Sequence, residues 1–155
     1  KIEETDNFES LSEKLSTIAS IILPLALADI EQGELKGIKQ DDSKATFCKK
    51  ITKEDGEIDF NQTTQEIINK IRALNPWPST FIKIKDKNIK IISAKKYDRS
   101  DIFTDHTGKP VVIDKKTFGF ITKDGILIPT KIKIEGKKEM TTDQFLNGYK
   151  NLLIS

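Results

Sequence analysis

The chain has 155 residues, 36% hydrophobic and 32% charged, with a formal net charge of +2; this supports one domain with a real core, or a domain plus an appendage, and excludes a chain disordered by composition. No apolar run approaches the roughly 20 residues that span a bilayer, so no membrane partner is expected. The one cysteine, Cys48, excludes an internal disulfide and fits a reducing cytoplasm, and the acidic N-terminus does not read as a secretory signal.

The small net charge conceals a division. Residues 1–42 hold four lysines against ten acids, a balance of −6, whereas the remainder holds 22 basic against 14 acidic residues, a balance of +8. Within 70–96 eight basic residues face one acid, Asp86. Such a split points to two units, the second facing something anionic, although lysines that merely solvate strand faces would give the same count.

The chain begins at Lys1, with no methionine, just upstream of a helical pattern. Ser10 and Glu13 have the spacing of a capping box; Leu11, Leu15, Ile18, Ala19, Ile22 and Ala26 follow at helical spacing. Pro24 should bend this helix and Gly33 should end it. Its apolar face is too broad to stand alone.

Residues 34–61 read as a charged connector, with one strand candidate at 45–51 that would place Cys48 beside Phe47 as a small apolar filler. Asp55, Glu57 and Asp59 would share one face if that segment were extended. Thr63 and Glu66 form a second capping box, opening a helix whose Ile67, Ile68, Ile71 and Leu74 make a stripe. Asn75-Pro76 ends it, because the residue before proline is pushed out of the α region.

From Phe81 the period becomes two. Strands are expected at 81–85 and 88–94, joined as a hairpin across Asp86 and Lys87, then at 110–113, 118–122 and 126–134. Thr141 and Gln144 open a C-terminal helix carrying Phe145, Leu146, Tyr149, Leu152 and Leu153. The predicted class is α+β: a small antiparallel OB-like β-barrel flanked by helices and preceded by a long helix.

Catalytic chemistry is sparse. One histidine and one cysteine, 58 positions apart, do not make a transition-metal site. His106 reads as a loop residue, and neither GxGxxG nor GxxxxGK[ST] is present. The basic surface remains. On the strand at 81–85, Phe81, Lys83 and Lys85 alternate with Ile82 and Ile84, an aromatic among lysines of the kind found on single-stranded nucleic-acid binders.

Two longer motifs carry a resemblance. ATFCKKITKEDGEIDFNQTTQEIINKIRALNPWPSTF at 45–81 and EGKKEMTTDQFLNGYK at 135–150 are similar, in order, to the C-terminal part of the methionyl-tRNA formyltransferase family, and the first helix with Gln32-Gly33 resembles the last helix of that family's catalytic domain. The resemblance implies formyl transfer from 10-formyltetrahydrofolate to methionine on initiator tRNA, with the folate and the catalytic Asn-His-Asp set in an N-terminal domain. No residue here matches that set; His106 does not, and no catalytic residue, metal or cofactor is expected on this chain. The long helix would be left over from a truncated α/β catalytic domain.

The implied division is a terminal helix at 1–40, a linker at 41–58 and an OB-like tRNA-binding barrel at 59–155. Lys49, Lys50, Lys53 and Arg72 become candidates for the tRNA backbone, beside Lys83 and Lys85 on the strand. Asn75, Pro76, Trp77 and Pro78 would form a clasp, the prolines fixing the path and the indole plugging the junction. Implied partners are initiator methionyl-tRNA and the missing catalytic domain, with dimerisation through the exposed first helix if that domain is absent. A sugar-amine formyltransferase C-terminal domain and an independent nucleic-acid-binding OB-fold are the competing readings. The family often reads P-G-x-I where this chain has Thr107-Gly108-Lys109-Pro110, and the loop at 99–106 carries no recognisable motif.

Overall fold

Ile67, Ile71 and Leu74, about one helical turn apart, are buried, and so are Ile82, Ile89, Ile91, Ile132 and Ile134, alternate residues of their strands. Helix stripe and sheet face therefore meet in one core, each such side chain contributing about 1.5–3 kcal/mol when fully buried. A computed structural model describes residues 1–85, 87–97 and 106–153. The chain divides into two compact units, Lys1–Ile51 and Thr52–Ser155.

The second unit is mixed helix and strand. Helix α2 (Thr64–Leu74) precedes strands β1 (Thr80–Ile84), β2 (Lys87–Tyr97), β3 (Pro110–Val112), β4 (Phe118–Ile121), β5 (Ile126–Ile134) and β6 (Met140–Thr141), and helix α3 (Thr142–Tyr149) follows. All strand pairs are antiparallel, in the order β1-β2-β5-β4-β3 with β6 on β5, giving an antiparallel half-barrel. The expected β1–β2 hairpin is present; its turn residue Asp86, and the motif-less loop apart from His106, lie outside the described residues. β6 was not anticipated, being two residues long.

Both capping boxes of this unit form. The Thr63 amide donates to Glu66 Oε2 at 2.8 Å, and the Thr141 amide to Gln144 Oε1 at 3.0 Å. A string of rings fills the centre: Phe60–Phe120 (5.2 Å between centroids), Phe118–Phe120 (5.6 Å), Phe118–Phe145 (5.2 Å) and Phe145–Tyr149 (5.7 Å).

The first unit is dominated by a 24-residue helix, α1 (Phe8–Glu31). Its start corrects the expected Ser10–Glu13 box. Asn7 is the cap, accepting from the Ser10 amide at 2.9 Å, while the Asn7 amide donates to Ser10 Oγ at 3.0 Å. Buried Asp6 explains the shift, because it accepts from Ser10 Oγ at 3.0 Å and pairs with Lys14 at 2.7 Å. The Lys14 ammonium and then the Glu3 amide bring the Asp6 pKa down to about 2.

Gly33, at φ +73°, follows the helix end as expected. None of α1 is buried, and Leu15, Ile18, Ile22 and Leu25 are all more than half exposed. Contrary to the sequence expectation, α1 is long and apolar enough to cross a membrane by length and composition, with a mean hydropathy of 1.4 over 18 residues; the helix continues through Pro24.

The strand expected at 45–51 is not formed. That segment follows a 3-10 turn, Asp42–Lys44, and lies in neither helix nor strand. Phe47 is 96% exposed, and Cys48 is exposed rather than a core filler.

Candidate nucleic-acid interface

The helix-to-sheet junction is built around Asn75. Its Nδ2 donates to Ile71 O at 3.0 Å and Ile92 O at 2.7 Å, and its Oδ1 accepts from Ser79 Oγ at 3.0 Å. The Ile92 carbonyl is available because the β2–β5 register shifts between Ile91 and Ser93, leaving Ile92 outside the ladder. Ser79 sits at φ +71°, a conformation unfavourable for a residue with a Cβ, and is held there by Asn75 and by its own amide bond to Leu74 O at 2.8 Å.

Between these two anchors the Asn75–Pro76 and Trp77–Pro78 bonds are both cis. The indole is not the plug expected from the sequence. Trp77 is 60% exposed, and the carboxamide of Asn75 performs the closure assigned to it.

The outward face of the sheet carries a cross-strand row. Phe81 on β1 opposes Lys90 on β2, and Lys90 opposes Lys133 on β5. The flanking isoleucines face the core, so the period of two turns both lysines outward. With Trp77, Pro78 and Asn88 these residues line a concavity of about 510 Å³. Lys53 lines it from the connector, and Glu135 and Gly136 from the end of β5.

The connector reaches this place through the 3-10 turn Glu54–Gly56, after which the Ile58 amide donates to Phe81 O at 3.0 Å. Three lysines against one carboxylate give the concavity a positive balance suited to phosphate.

Of the six basic residues singled out from sequence, the four in the second unit are not brought to one place. Lys53 lines the concavity. Lys83 lies 3.0 Å from both Glu57 oxygens and 5.8 Å from the Phe81 ring centroid. Lys85 is not part of the strand: at φ +52° it occupies the turn, and its Nζ donates to Asn151 O at 3.0 Å. Arg72 is half-buried, its Nη2 donating to Asn69 at 2.9 Å while Nε finds no protein partner. Lys49 and Lys50 belong to the first unit.

The three acids of the connector do not share a face. Asp55 accepts from the Thr52 amide, Glu57 pairs with Lys83 and Asp59 accepts from the Asn61 amide. His106 is exposed. Lys90, Asn88, Lys133 and Glu135 were missed. The Ile-Lys-Ile pattern at 89–91 and 132–134 announces outward lysines, but nothing local shows that the two strands are neighbours.

Comparison with known proteins gives this arrangement a family. The profile of the formyl transferase C-terminal domain matches residues 50–150. A methionyl-tRNA formyltransferase from Lachnospira eligens is 36% identical over 151 residues, covering 96% of this chain and 48% of that protein. One from Staphylococcus aureus is 33% identical over 155 residues, covering 99% and 49% respectively. The chain therefore spans about half the length of the curated relatives it matches.

Among solved structures, a variant of HypX from Aquifex aeolicus superposes with a TM-score of 0.63 at 17% identity, over 97% of this chain and 28% of that one. HypX in complex with tetrahydrofolic acid gives 0.55 at 18%, over 83% and 22%. At that identity the likeness is one of fold. The profile spans the end of the connector, the Asn75 junction, the whole sheet and α3, and on that match this chain belongs to the formyl transferase C-terminal domain family.

Proposed function

We propose that this chain is the C-terminal portion of a methionyl-tRNA formyltransferase, which transfers a formyl group from 10-formyltetrahydrofolate to the methionine of initiator tRNA in the cytoplasm. In this reading the chain binds tRNA and carries none of the catalytic groups, which, like the folate, belong to an N-terminal domain. The half-barrel is the OB-like tRNA-binding element. The exposed face of α1 packs on the catalytic domain rather than on a bilayer or a second copy, a reading supported by curated relatives whose similarity covers 96–99% of this chain, α1 included.

The observation that carries the RNA-binding role is the positive concavity, in which Lys90 and Lys133 lie opposite each other beside Lys53. A site for a neutral ligand gains nothing from facing lysines, whereas each phosphate they neutralise releases a counterion and makes binding salt-dependent. Lys49 and Lys50, in the first unit, are candidates for the tRNA backbone through the family resemblance alone. Lys83, Lys85 and Arg72, already engaged with protein groups, add to the long-range field.

The test is an assay of the protein that contains this chain at its C-terminal end. Formylation of methionyl-tRNA dependent on 10-formyltetrahydrofolate is expected. Formylation of an amino-sugar nucleotide in its place would overturn the reading.

A further inference from the structure

Most aromatic rings of this fold already have neighbours. Phe60, Phe118, Phe120, Phe145 and Tyr149 pack against one another, and Phe81 has the Lys83 ammonium 5.8 Å from its centroid. Trp77 makes no ring contact among the described residues and stands 60% exposed, although an indole is among the side chains that gain most from burial. Nor is it loosely held: it lies between two prolines, with Asn75 on one side and Ser79 on the other bonded to each other and to the helix end. The side chain is thus presented at the concavity with little backbone freedom left to lose on binding.

The other groups there are complementary to a nucleotide. Lys53, Lys90 and Lys133 supply cations for a phosphate on either side of a base. Asn88 and Glu135 supply a carboxamide and a carboxylate able to hydrogen-bond a base edge or a ribose hydroxyl. About 510 Å³ lies within the range that small ligands occupy.

We propose that Trp77 is the stacking platform of a subsite for one unpaired nucleotide, whose flanking phosphates are held by Lys90, Lys133 and Lys53. This rests on the RNA-binding reading above and narrows it: the concavity takes a splayed-out base rather than a duplex backbone. In a paired helix both faces of a base are covered by its neighbours, so an indole can stack only on a base outside the helix or at its end.

Trp77 is the only tryptophan, so its fluorescence reports the subsite directly when excited selectively over the two tyrosines. The chain is titrated at low salt with oligouridylate of about eight nucleotides, within the span of one such binding face, and separately with a blunt RNA duplex and with initiator tRNA. Saturable quenching by oligouridylate is expected, and Trp77→Ala should weaken oligouridylate about tenfold, the scale of one base–aromatic stack. Duplex affinity should stay unchanged and Trp77→Phe should retain most oligouridylate affinity, with circular dichroism confirming that both variants fold.

Tight, salt-dependent tRNA binding with no quenching and no effect of Trp77→Ala would overturn the stacking subsite and leave the RNA-binding reading standing. Equal loss for duplex and oligouridylate would also overturn it. No binding of any RNA at low salt would overturn both.

Discussion

Lys90 and Lys133 stand directly opposite each other across β2 and β5, and neither has an ion-pair partner among the described residues. Like charges at facing positions oppose strand pairing. The register is imposed by the inward pairs Ile89–Ile134 and Ile91–Ile132 on either side, which leave the lysines no alternative. Lys133→Thr is therefore expected to raise stability by about 0.3–0.5 kcal/mol in urea unfolding. The same variant should lower tRNA affinity and reduce the slope of log affinity against log salt by about 1. A stabilised variant with undiminished affinity would remove this lysine from the interface.

The junction depends on a carboxamide more than on the indole beside it. Asn75→Ala leaves Ile92 O, Ile71 O and Ser79 Oγ each short of a partner, and should cost about 1–3 kcal/mol in chemical denaturation. Trp77→Ala, at a side chain 60% exposed, should cost less than about 1 kcal/mol. The reverse order would return the closing role to the tryptophan.

Gly56 lets the connector approach that junction. A Cβ at this position would lie 2.2 Å from the Ser79 carbonyl oxygen, a backbone atom held by the Asn75 network. Gly56→Ala is expected to cost about 1–3 kcal/mol, as overpacking does. It should also weaken RNA binding by displacing Lys53, which a thermal melt and a binding titration on the same sample can separate.

Asp124, between β4 and β5, ties that turn to the start of α2, accepting from the Thr64 amide at 2.7 Å and from Thr64 Oγ1 at 2.9 Å. The Thr64 amide holds its carboxyl below the ordinary value of 3.8 against an opposing effect of burial. A carboxyl with a lowered folded-state pKa stabilises the protein above its unfolded value. That contribution is lost as pH falls through the folded one. Asp124→Ala should cost about 1–2 kcal/mol at neutral pH, as the loss of a helix cap does. Unfolding curves of the variant should also fall less steeply than those of the parent as pH drops below the carboxylate range. Parallel curves would show that another group carries the acid sensitivity.

What the sequence disclosed depended on the range of the interaction. The Thr63–Glu66 and Thr141–Gln144 boxes, the end of α2 at Asn75 and the bounds of β5 were legible because each is decided by neighbours within a few residues. Ser10 misled because its hydroxyl is taken up upstream, accepting from the Asn7 amide and donating to the buried Asp6. The segment at 45–51 has strand composition but no partner strand, and composition alone does not pair a backbone. The concavity was half legible: Phe81 and Lys53, which line it, were noted from the sequence, whereas the facing of Lys90 and Lys133 arises from a strand pairing across some forty residues.

In the proposed function the outward row of β1, β2 and β5 holds RNA phosphate. The measurement that tests it most directly is the affinity of this chain for initiator tRNA across a salt series, beside that of Lys90→Glu/Lys133→Glu. A linear fall of log affinity with log salt is expected for the parent chain, with the double variant weaker at every salt and its slope shallower by about 2. Superimposable lines for the two proteins would contradict it.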